Sequence, residues 1–147
     1  MSVKALRTLL VLVALLGILG FFALTKVPIA HAAGIVVTNA LDDITSANGC
    51  SLREAITNAN DNAPTFGDCG AGAVGLDTIT FNIPDTGPEC SSNNVCTITL
   101  TSLNFLPILD DLTIDGTPNA AHITVSGANT YQVMSVSGKI LNVNALT

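Results

Sequence analysis

The densest group of residues able to do chemistry is the acidic pair Asp110 and Asp111 with Asp115 close behind. Two or three carboxylates converging on one groove are what glycoside hydrolysis needs, one to protonate the leaving oxygen and one to activate water or attack. Neighbouring residues of a strand point to opposite faces, so Asp110 and Asp111 can converge only in a turn. Asp115 followed by Gly116 is itself a turn pair, and the run reads as a solvated turn. Proton abstraction by a free base is the second option, but beyond residue 32 the strong bases are only Arg53 and Lys139. His122 alternates with apolar residues in a strand-like run, and no GxSxG elbow accompanies it. Asp42 with Asp43, or Asp61 with Asn60 and Asn62, could offer oxygens to Ca²⁺, yet neither has the spacing of a Ca²⁺ loop. The expectation is a chain with no catalytic residue, no metal ligand and no cofactor.

The four cysteines, Cys50, Cys69, Cys90 and Cys96, are the remaining reactive side chains. No C-x-x-C is present, which argues against zinc. In an oxidising compartment they read as disulfides. Four cysteines allow three pairings; the local one, Cys50 with Cys69 and Cys90 with Cys96, closes two short loops and is the one expected.

That compartment is indicated by the start of the chain. Lys4 and Arg7 precede an apolar run from Leu9 to Leu24, and Ala30, His31 and Ala32 form an A-x-A site. This is the layout of a signal peptide over residues 1–32, with cleavage after Ala32. The run falls short of the ~20 residues that a membrane span needs, so contact with a membrane is expected only before cleavage. Removing the leader takes away Lys4, Arg7 and Lys26 but leaves all 11 carboxylates. So acidic a surface repels nucleic acid, which is bound by clustered Lys and Arg.

The elements that must position these residues follow from local patterns. GIVVTN, 34–39, is a short β segment by its β-branched residues. Ser51 followed three residues later by Glu54 is a capping box, so a helix starts at Leu52. Leu52, Ala55, Ile56 and Ala59 give it one apolar stripe. Asn60, Asp61, Asn62 and Pro64 end it. A glycine-rich loop, 67–75, follows. Then come short period-2 runs at 76–83, 96–101, 112–115, 122–126, 132–137 and 140–144, separated by Gly, Pro, Asn and Asp. Such strands build either an antiparallel sandwich or a solenoid. Hairpin pairs such as Asn-Gly are absent between consecutive runs, which favours the solenoid.

Residues 50–56 read CSLREAI, and this segment resembles the signature of the CSLREA domain of exported bacterial proteins. The neighbours agree: Ile35 to Thr38 upstream, Asn58, Ala59 and Asn60 after the helix, DTITF at 77–81 and LTIDG at 112–116. The similarity spans 35–116. It implies a right-handed parallel β-helix of the pectin lyase-like kind: 33–75 as an N-terminal cap, 76–147 as first, incomplete rungs. It also implies a secreted or cell-surface, adhesin-like protein with no chemistry assigned to the segment itself. The proteins it resembles continue through more rungs, so the chain is expected to be a fragment. In this setting Ser51 and Glu54 fix the helix start, while Leu52 and Ile56 plug an open core. Arg53 is expected to pair with a carboxylate. A structural or adhesive module, with an extracellular glycan or protein as ligand, is the expected function. The alternative is a fragment of a carbohydrate-active enzyme like the pectate lyases.

Overall fold

The computed structural model describes residues 32–101, 104–119 and 121–147. The expected leader, apart from Ala32, lies outside the described residues. Over the rest the chain is mainly β, with parallel sheets and one helix. Among the described residues no helix is long and apolar enough to cross a membrane.

Strands β1 (Gly34–Val37), β2 (Asp77–Phe81), β6 (Leu112–Asp115) and β9 (Leu141–Asn144) form one parallel sheet in the order β1-β2-β6-β9. Helix α1 (Leu52–Asp61) separates the first two of them. A second sheet joins β3 (Cys90–Ser91), β4 (Val95–Thr99) and β7 (His122–Ser126), and a third joins β5 (Leu106–Ile108) to β8 (Met134–Val136). The chain thus visits the first, second and third sheets with β2, β4 and β5, and repeats that order with β6, β7 and β8 before β9. Each later strand lies parallel to the earlier one in its sheet.

Register makes this stacking pack. Ile35 pairs with Ile79, Ile79 with Ile114 and Ile114 with Val143, so one column of β-branched residues runs through the first sheet. Cys96 over Ile123 and Leu106 over Met134 stack apolar side chains in the other two. With period 2, the alternate positions face outward, and there Thr78, Thr113 and Asn142 stack as a polar ladder. A one-residue slip would exchange the two sets, so the buried columns fix the register. Leu52, Ile56 and Ala59 of α1 enter the same buried cluster as Ile35, Ile79 and Ile108.

Two elements depart from the sequence reading. Cys90 and Ser91 form a short antiparallel hairpin with β4, turning through Asn94 at φ 62°. A hairpin therefore exists between consecutive strands, made by an Asn in the left-handed region and not by an Asn-Gly pair. Strand β5 was hidden by Pro107, which cannot donate to a ladder and so breaks the usual signal. Its carbonyl accepts from a helix side chain instead, as described next.

Candidate functional site

The capping residues singled out by the sequence gather around the N-terminus of α1. Ser51 sits at N-cap with extended backbone; its Oγ accepts from Glu54 N at 3.2 Å, and Glu54 Oε2 accepts from Ser51 N at 3.0 Å. Both halves of the capping box are closed. Ser51 Oγ also donates to the Asp43 carbonyl at 2.8 Å, which ties the incoming loop to the helix. Asn62 ends the helix in the left-handed conformation, donating its backbone N–H to the Ala59 carbonyl.

A disulfide joins Cys50, just before the cap, to Cys69 in the loop after the helix. Asn58, fully buried, organises that loop: its side chain donates to the Phe66 and Gly70 carbonyls and accepts from Phe66 N. Gly72 passes so close that a Cβ there would meet the Asn58 carbonyl oxygen at 2.0 Å, so only glycine fits. The second disulfide, Cys90 to Cys96, clamps the hairpin at directly paired positions.

The polar face of α1 reaches the backbone of the third sheet. Arg53 Nε donates to Asp42 Oδ1 at 2.7 Å, and its Nη2 donates to the Asn104 carbonyl at 2.9 Å. Asp42 Oδ2 accepts in turn from Thr101 N at 2.9 Å. Asn60 Nδ2 donates to the Pro107 carbonyl at 2.8 Å, while Asn60 Oδ1 accepts from Leu109 N at 2.8 Å. With one amide, Asn60 satisfies a donor and an acceptor along β5, as a neighbouring strand would. The sequence reading missed the roles of Asn60 and Asp42. Their partners lie 47 and 59 residues along the chain, and no local pattern announces them.

Buried beside the cap is a set of carboxylates. Glu54 is inaccessible to solvent, and its Oε1 has no hydrogen-bond partner; Asp43 Oδ1 and Asp68 Oδ1 are buried and unpartnered as well. Burial pushes the Glu54 carboxyl above its ordinary range, the Ser51 N–H opposes this, and the negative charges of Asp68 and Asp43 add to it. Among the described residues no group of three or more His, Cys, Asp or Glu is placed to hold a metal ion.

The acidic run lies elsewhere and is committed to structure. Asp110 Oδ1 accepts from Lys139 Nζ at 2.8 Å and its Oδ2 from Asn62 Nδ2 at 2.9 Å. These bonds, Lys139 first, hold the carboxyl down at about 2. The same contact raises Lys139, which holds it protonated and leaves it no free amine to act as a base. Asp111 Oδ1 accepts from Ile140 N, and Asp115 Oδ1 from Thr117 and Asn144. Asp115 is held below its ordinary range chiefly by Thr117. Asp110 and Asp115 are thus shifted away from the raised pKa expected of a general acid. A groove of about 360 Å³ beside the cap is lined by Ile44, Arg53, Ile56, Thr57 and residues 104–107, with no carboxylate among them. His122 is exposed at the start of β7.

No protein-family model, curated protein or solved structure matches the chain.

Proposed function

We propose that this chain forms the first rungs of a right-handed parallel β-helix in an exported protein. On this reading it is a non-catalytic structural or adhesive module, secreted or at the cell surface, and the segment 50–56 similar to the CSLREA signature is its cap. The observation that carries the reading is the contact of Arg53 and Asn60 with the backbone of β5 and its flanks. An uncovered strand edge presents unpaired N–H and C=O groups and invites edge-to-edge association. Helix α1 occupies that edge while its apolar stripe closes the core beneath the strands. The two disulfides support an oxidising destination.

The double variant Arg53→Met, Asn60→Ala tests the cap. Loss of the cover is expected to leave a protein that sediments with concentration-dependent association where the parent does not. A variant that stays monomeric with unchanged amide protection at Leu109 counts against a capping role. Incubation with polygalacturonate is expected to yield no unsaturated product, and appearance of that product would favour a lyase.

A further inference from the structure

Asp77 opens β2 with 1% of its surface exposed. Its Oδ1 accepts from Ala33 N at 2.7 Å and its Oδ2 from Ala73 N at 3.1 Å. Both of these donors are neutral backbone amides. A buried carboxylate held only by neutral donors is costly, and a cation placed against it removes most of that cost. Among the described residues the ion pairs are Arg53 with Asp42 and Lys139 with Asp110, and Asp77 is in neither. No other Lys or Arg follows residue 32. The chain nevertheless has a way to make one more positive charge at this spot.

Ala33 is the residue immediately after the A-x-A site formed by Ala30, His31 and Ala32. Ala32 is exposed, whereas Ala33 is half-buried against the core. The Ala33 carbonyl accepts from Thr78 N at 2.8 Å, so Ala33 is pinned on both sides. We propose that Asp77 is the receptor for the new N-terminus created by leader removal, so that processing locks β1 onto β2. An export-linked peptidase hydrolyses the Ala32–Ala33 peptide bond with one water. The water's oxygen ends in the Ala32 carboxylate, and the Ala33 nitrogen leaves as an amine and takes up a proton to become an α-ammonium. That group already lies at charge-assisted hydrogen-bond distance from Asp77 Oδ1. The neutral contact becomes an ion pair without movement of the strand.

The lock rests on the export reading, and one measurement separates the two. The mass of the protein recovered after export is expected to place its N-terminus at Ala33. A terminus at another residue overturns the lock and leaves export standing, while retention of the leader overturns both. For the processed protein, labelling of the Ala33 amine by an amine-reactive ester near neutral pH is expected to be slowed roughly tenfold relative to the urea-unfolded chain, as a hydrogen bond to a charged group implies. Labelling at the unfolded rate overturns the lock. The full chain with Ala32→Phe, which blocks cleavage, should melt below the processed protein, and Asp77→Asn should remove that difference. An equal gain on processing in Asp77→Asn overturns the proposal. If Asp77→Asn fails to fold, the labelling rate still decides.

Discussion

The two ends of the stacked sheets are built from the same alternating sequences and differ in burial. In the first sheet Ile35 at the helix end, then Ile79 and Ile114, are wholly inaccessible, whereas Val143 at the opposite end of the column is 51% exposed. In the third sheet Ile108 is buried and Val136, paired with it, is 42% exposed. Side-chain pattern is therefore not what removes these residues from water. A stacked neighbour on each side does so, and at the helix end α1 supplies that neighbour where a strand would otherwise stand.

The largest test of this contrast is a pair of truncations. Phe81→Ala, deep in the first sheet, is expected to cost about 3–5 kcal/mol, as for a fully buried aromatic. Val143→Ala should cost less than about 1 kcal/mol, since much of its surface is already wet. Urea titration of both variants checks this, and equal costs would erase the distinction between the ends.

The disulfides sharpen the comparison at a smaller scale. Cys50 and Cys69 are 19 residues apart and Cys90 and Cys96 only 6. Replacing the first pair with serine should lower stability by about 3 kcal/mol and the second by about 2 kcal/mol, because the longer loop restricts the unfolded chain more. A larger loss from the hairpin pair would show that the hairpin, and not the helix loop, holds the assembly.

The smallest effects come from pH, and they have opposite signs in the two regions. Glu54 in the cap has a raised pKa, so its contribution is complete below its ordinary value of 4.5 and is lost as pH rises through the folded value. Glu54→Gln keeps both halves of the capping box and is expected to flatten that decline, read as melting temperature between acid and neutral pH. Asp110, in the turn between β5 and β6, has a lowered pKa. Its contribution is present above 3.8 and disappears as pH falls through about 2, so Asp110→Asn should alter only the acid limb. A Glu54→Gln variant with the parent's pH profile would show that the buried carboxylates do not act on stability.

Much of the architecture is legible along the chain because its signals are local. The capping box needs only Ser51 and Glu54 at fixed spacing, and the strands 112–115 and 122–126 need only period-2 alternation. The hairpin at Cys90 was missed because its strand has two residues, too few for a periodic pattern. Strand β5 was missed because its proline reads as a breaker, although here Pro107 sits in a strand paired with β8 while its carbonyl accepts from Asn60 of α1.

What the sequence determined by itself is the start of α1, the inward face of β2, β4 and β7 and the acidic balance, all of which depend on near neighbours or on composition. Tertiary structure alone decided which backbone edge the helix covers, which carboxylates meet beside Glu54, and that Asp77 receives Ala33 from 44 residues away. Those pairings arise when loops close and strands stack in register, and the closing residues carry no mark of their partners. Asp110 and Asp111, the most chemical-looking pair in the sequence, turn out to hold successive strands together for the same reason.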